Sequence, residues 1–267
     1  MKDARLRWRV RHRVVASAAV LLAGVATAAD LQISPITLEF GPTQQGQGVW
    51  LRNSGGGPVD AQVRVLRWSQ NDGQETLEPT RELLPTPSFI RIEPGGQQLV
   101  RIVRVRPQAP EAELTYRLLI DELPVTRASS AAGTAGSDAE EQAQQQVGLR
   151  FLLRYSVPVF VAPTQASPSP SAAPASPALQ ASWQAGTPTV LSIANSGNRR
   201  VRISRLVHED AGGKRTLLAP GLLGYVLAGK TMQWPLKAGP GLGAGQLKAL
   251  LDDDENEQTL PMARGRP

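Results

Sequence analysis

Cysteine is absent from all 267 residues. No disulfide can staple the fold, and thiol nucleophiles and thiolate metal sites are excluded. Histidine is almost absent. His12 lies in a basic N-terminal stretch and His208 stands alone beyond it, so a Ser–His base and a multi-histidine metal centre are both excluded. After residue 29 no run is long and apolar enough to cross a bilayer as a helix, and none carries a sustained 3.6-residue period. The glycine-rich stretch Gly239–Gly245 lacks the lysine and hydroxyl of a phosphate loop. Asp252-Asp253-Asp254-Glu255 lacks the spacing of a calcium loop and reads as a solvated hairpin tip. An enzyme is not expected, and neither a cofactor nor a metal site is predicted.

An excess of positive charge is also missing once the N-terminus is set aside. Lys2, Arg5, Arg7, Arg9, Arg11 and Arg13 precede the apolar run Val14–Val25 and the small residues Ala26-Thr27-Ala28-Ala29. This order predicts a secretory signal peptide over 1–29. The formal charge of +6 then falls to +1, with 23 cations against 22 acids. Nucleic acid is not an expected partner, and no membrane insertion is expected of the exported chain. A chain exported without disulfides must rely on its core, which suits a periplasmic domain of ordinary size.

What is present is β text. Val59, Ala61, Val63 and Val65 alternate with Asp60, Gln62 and Arg64, the two-residue period of a half-buried strand, and Trp68 is expected to close it. Asn53-Ser54-Gly55-Gly56-Gly57-Pro58, Asn71-Asp72-Gly73 and Glu93-Pro94-Gly95-Gly96 punctuate the strands as turns. Leu31–Phe40 is a short edge strand broken by Pro35, and Tyr116–Pro124 is a further strand. Residues Thr126–Gln146, rich in Ala, Ser, Gly and Gln, form a loop of about twenty residues, longer than compact domains usually keep without a reason. Ala166–Pro177 is a polyproline-leaning linker. A second β unit follows, with turns at Asn195-Ser196-Gly197-Asn198 and Asp210-Ala211-Gly212-Gly213. The expected organisation is a signal peptide over 1–29, a first domain over 30–163, a linker over 164–178 and a smaller sandwich over 179–267.

One stretch organises the first domain. Leu149, Phe151, Leu153, Tyr155 and Val157 share one parity, while Arg150, Leu152, Arg154, Ser156 and Pro158 take the other. By pattern this is a core strand. Its position after the long loop, and the cations that interrupt it, favour a binding role.

Three segments carry a resemblance: Tyr116-Arg117-Leu118 through Asp121-Glu122-Leu123-Pro124, Phe151 through Phe160, and Gly224-Tyr225-Val226-Leu227. With the Trp68 strand and the Pro-Gly-Gly turn before Arg101, they resemble the periplasmic pilus-assembly chaperones of the chaperone–usher pathway, archaic branch. The resemblance implies an all-β fold of two immunoglobulin-like β-sandwich domains set as a boomerang. It also implies a chaperone that binds pilus subunits and delivers them to an outer-membrane usher. Binding would use donor-strand complementation, an established form of β-augmentation. Leu149, Phe151 and Leu153, with Val147 before them, are the donor residues it implies.

In better-known relatives a first-strand cation and a lysine two residues before the terminal phenylalanine clasp the subunit's C-terminal carboxylate. Here Leu31–Phe40 holds no cation and Pro158 takes the lysine position. Arg117 and Arg154 are the replacement candidates, with ion pairs to Asp121, Glu122 or Glu93 as the competing reading. Arg101 is a third candidate, with a structural role favoured for it. The rival function is a structural or adhesive component of a surface appendage. Such a subunit needs a donor extension near its mature N-terminus, and Asp30–Phe40 is short and broken by proline.

Overall fold

Pro35 cannot donate to a strand ladder, and the chain changes sheets there. β1 (Leu31–Ser34) pairs with β3 (Gly46–Asn53), whereas β2 (Leu38–Phe40) runs parallel to β10 (Arg154–Val161) in the opposite sheet. The segment expected as one broken strand thus serves both layers of the sandwich. The computed structural model describes residues 31–124, 152–164, 179–184, 189–236 and 245–263. The leader, the 126–146 loop and most of the linker lie outside them, as do Val147, Leu149 and Phe151.

The first sandwich packs two sheets face to face. One has the order β1-β3-β8-β6, with β8 at Gln97–Arg104 and β6 at Leu83–Thr86. The other has the order β2-β10-β9-β4-β5 and is joined at β4 by β7 (Phe89–Ile92). Here β4 is Val59–Asn71, β5 is Gln74–Pro79 and β9 is Leu114–Leu123. The alternating residues meet between the sheets: Val49, Leu51, Val63, Val100, Ile120 and Val159 are each at most 1% exposed.

The second sandwich pairs β11 (Leu179–Gln184), β12 (Thr189–Asn195) and β15 (Thr231–Leu236) in one sheet. Its other sheet has the order β14-β13-β16-β17, spanning Arg215–Val226, Val201–Asp210, Gly245–Leu251 and Glu257–Leu260 respectively. Leu191, Ile193, Ile203 and Leu206 fill its core.

The two units repeat one device. In each, a buried asparagine opens an Asn-Ser-Gly turn. Asn53 Oδ1 accepts from Gly55 N at 2.9 Å while its Nδ2 donates to the carbonyls of Gly57 and Ile92. Asn195 Oδ1 accepts from Gly197 N at 2.9 Å while its Nδ2 donates to the carbonyls of Arg199 and Val226. A side-chain amide buried this deeply must spend its hydrogen-bonding groups on the backbone, and both asparagines do so.

The sandwiches meet where β4 outruns the row of valines. Trp68 lies on the opposite parity from Val59–Val65 and does not close the strand, which continues to Asn71. Trp68 packs with Phe160, Leu227 and Tyr225 in an aromatic cluster between the units, its ring edge-on to Tyr225 at 5.6 Å. Gln70 extends from the same face to donate to Tyr225 O at 2.7 Å and accept from Leu227 N at 2.9 Å. On the far side Arg200 lies 3.4 Å over the Phe160 ring and 2.6 Å from Glu113, and it also pairs with Glu39.

Candidate functional site

β10 is bonded to β9 along its whole length, but β2 covers its other edge only over Val159–Val161. Among the described residues, no strand lies beside Arg154–Pro158 on that side. The core-facing parity changes character along this strand. Val159 and Val157 are buried, Tyr155 packs partly against the core, and Leu153 is 37% exposed. Burial along this parity therefore falls from Val157 through Tyr155 to Leu153. Leu153 remains in register, its carbonyl accepting from Glu122 N at 2.9 Å. Beside it an open groove of about 460 Å³ is lined by Gln62, Arg64, Asp121, Glu122, Leu152 and Arg154.

The candidate cations take three different environments. Arg154 sits opposite Asp121 and hydrogen-bonds its Oδ1, while Arg64 reaches the other oxygen at 2.6 Å. Burial pushes the Asp121 carboxyl up, but the bonds from the two arginines outweigh it and hold the group below its usual value. Arg154 is thus engaged by one of the three acids the sequence offered it.

Arg117 sits opposite Pro158 on the outer face of the sheet. Its side chain is only 16% exposed and its nearest carboxylate oxygen, on Glu75, is 3.7 Å away. The guanidinium lies 3.8 Å over the Trp68 ring, and burial lowers its pKa. It is a mostly desolvated cation with a loose counter-ion.

Arg101 is separated from both. It is exposed on β8, in the other sheet, opposite Gly48 and Thr86. The parity it shares with Leu99 and Val103 turns outward there, because Val100 and Ile102 take the core. Arg101 therefore does not join Arg117 and Arg154.

The residues that position Arg117 were not read as site residues from the sequence. Trp68 is its platform, Glu75 its distant partner, and Tyr225 reaches the same cluster from the second unit. The break in parity between Val65 and Trp68 was the available signal. The acidic run near the C-terminus is structural: Asp252 accepts from Arg202 N, Asp253 pairs with Arg202, and Asp254 accepts from Asn256 N. Among the described residues no three His, Asp or Glu side chains converge as metal ligands.

Solved structures with this architecture are numerous. A chain of the CsuC–CsuE chaperone–tip adhesion subunit pre-assembly complex, from archaic chaperone–usher Csu pili of Acinetobacter baumannii, aligns with a TM-score of 0.67 at 21% identity, covering 88% of this chain and 100% of that one. The YadV chaperone aligns with a TM-score of 0.60 at 16% identity, covering 86% and 98%. A chain of the Salmonella enterica SafA pilin–SafB chaperone complex aligns at 0.57 and 15% identity, covering 88% and 97%. No curated protein sequence matches this one. Residues 30–167 match the family described as pili and flagellar-assembly chaperone, PapD N-terminal domain. That family consists of assembly chaperones, not enzymes. With more than half its length in that match and two immunoglobulin-like sandwiches behind it, the chain belongs to the pili and flagellar-assembly chaperone family.

Proposed function

We propose that this chaperone holds pilus subunits in the periplasm by lending them a strand, and then passes them to an outer-membrane usher. The observation that carries the reading is the edge of β10 over Arg154–Pro158, which no described strand covers, beside an apolar parity whose exposure rises from Val157 to Leu153. A free edge offers backbone donors and acceptors to a partner sheet, and alternate side chains fill its pockets. Leu153 is the first residue of that row outside the core. Phe151, Leu149 and Val147 continue its parity, outside the described residues. Each Leu or Phe fully buried in a subunit contributes about 1.5–3 kcal/mol, so a few outweigh the ordering of the segment.

Arg117 is the favoured anchor for an anionic group of the subunit, such as its terminal carboxylate, because its own counter-ion is distant. Arg154 is second, since it must share itself with Asp121. The structural or adhesive alternative has only the sandwich architecture behind it, and a fold by itself fixes no role.

The deciding experiment is Phe151→Ser with Leu153→Ser. The double variant should lose most of its subunit affinity in pull-downs while its melting temperature stays close to that of the parent. A large fall in melting temperature, with unchanged binding by the surviving folded protein, would make the row ordinary core.

A further inference from the structure

The described arginines divide sharply by sheet. Arg64, Arg67, Arg91, Arg117 and Arg154, on the sheet that contains β10, each have a carboxylate within 4.0 Å. So do all the described arginines from Arg199 onward. Those without one among the described residues are Arg52, Arg81, Arg101, Arg104 and Arg106. All of these lie on the β1-β3-β8-β6 sheet or at its strand ends. Arg104 is buried and satisfied by carbonyls, among them Pro42 O at 2.8 Å and Gln108 O at 2.6 Å. The others are exposed. None of the four strands contains an Asp or Glu. The nearby Glu82 is already taken by Arg67 and the Tyr116 hydroxyl.

The outer face of this sheet is ordered in rows. Trp50 stands directly opposite Leu99, Arg52 opposite Gln97, and Gly48 opposite Arg101. Trp50 is 46% exposed, a large aromatic left in water on a sheet whose other face is core. Gly48 lets Leu99 lie flat, since a Cβ there would meet Leu99 Cδ1 at 2.8 Å. The result is a Trp50–Leu99 platform with Arg52 on one side along the strands and Arg101 on the other. Each is two residues away, or about 6.6 Å at 3.3 Å per residue.

We propose that this face docks a protein segment in extended conformation that carries two acidic residues four apart with an apolar residue midway between them. Successive residues of an extended chain advance by the same step as the sheet beneath, so its carboxylates would meet Arg52 and Arg101 while the apolar side chain covers Trp50 and Leu99. Trp and Arg are the residue types enriched where binding energy concentrates, and exposed cations on an acid-free face select an acidic partner. The regular apolar step between the two cations favours a peptide over an anionic membrane, which presents no such spacing. The face is on the opposite sheet from β10, so a chaperone loaded with its subunit keeps it available.

The test uses the full chain and synthetic peptides built on Glu-Ser-Phe-Ser-Glu. Controls are the Lys-Ser-Phe-Ser-Lys counterpart, the scrambled Phe-Ser-Ser-Glu-Glu, and phosphatidylglycerol vesicles. The Trp50 indole and the β3 and β8 amides are followed by NMR. The patterned acidic peptide should shift these signals, and raised salt should weaken the effect. Arg52→Gln with Arg101→Gln should reduce affinity by about tenfold or more, with the melting temperature and subunit capture unchanged. Trp50→Ala should act likewise. Equal shifts with the lysine or scrambled peptide, no shift with any peptide, or loss of these signals on vesicles alone would each overturn the proposal. So would failure of the arginine variant to capture subunit, because the face would then belong to the subunit site.

Discussion

Arg117 lies with its guanidinium 3.8 Å from the centroid of the Trp68 ring, and Trp68 is itself part of the aromatic cluster joining the two sandwiches. The cation favoured as the subunit anchor therefore rests on the joint between domains. Stacking on an aromatic face offsets part of the desolvation of a cation, and the Glu75 oxygen at 3.7 Å supplies the rest only loosely.

Arg117→Ala should weaken subunit capture strongly while leaving the chaperone folded. A charge-assisted hydrogen bond contributes about 1.5–3 kcal/mol, equivalent to roughly 10- to 100-fold in affinity. Arg117→Lys should be intermediate, because an ammonium keeps the charge but loses the planar fork and the stack. Circular dichroism with pull-downs of both variants checks this. Unfolding of both would assign Arg117 to the chaperone's own structure.

Arg154→Ala should cost little stability, since the side chain is 62% exposed and exposed pairs contribute about 0–1 kcal/mol. The shared carboxylate is the more informative target. Asp121 is held below its usual value of 3.8 by Arg154 and Arg64 against the opposing effect of burial. Its stabilisation is therefore present above that value and lost as pH falls through the lowered one. Asp121→Asn should thus be less stable than the parent near neutrality, and the gap in melting temperature should close on acidification.

Glu113 behaves in the opposite sense. Its side chain is 1% exposed beside Arg200, and burial raises its pKa despite the arginine. Its contribution to stability is full below the unfolded-state value and is lost as pH rises through the raised one. Glu113→Gln should therefore gain stability relative to the parent across that rise. Arg200→Ala strands the carboxylate and removes the cation over Phe160, at a cost of about 3–5 kcal/mol. Calorimetry should show unfolding of this variant spread over a broader range, or more clearly split, than that of the parent as the sandwiches uncouple.

The paired asparagines allow a test within each unit. Asn53→Ala and Asn195→Ala each remove a side-chain donor to buried carbonyls and the acceptor of the turn amide, at a cost on the order of 1–3 kcal/mol. Chemical denaturation of each variant should show a lower midpoint with an unchanged slope.

Much of the architecture is written locally. The alternation through Val59–Val65, the Asn-Ser-Gly turns and the lack of helical periods suffice for antiparallel sandwiches, because a two-residue period and a turn are properties of neighbouring residues. The parity of Leu153, Tyr155 and Val157 is equally local, and the structure keeps it. Where that row stops being core is not local. It depends on β2 covering β10 only from Val159 onward, after Pro35 has moved the chain between sheets.

The cations show the same division. Arg101, Arg117 and Arg154 look alike in sequence, each a charge interrupting an apolar run. Only the tertiary structure gives Arg154 to Asp121, lays Arg117 on Trp68 and turns Arg101 outward on an acid-free face. Sequence determines which side of a strand a charge occupies, since pleating is set by neighbouring residues. The acid or ring it meets there comes from residues far away in the chain, and their distance is fixed only when the sheets pair and pack.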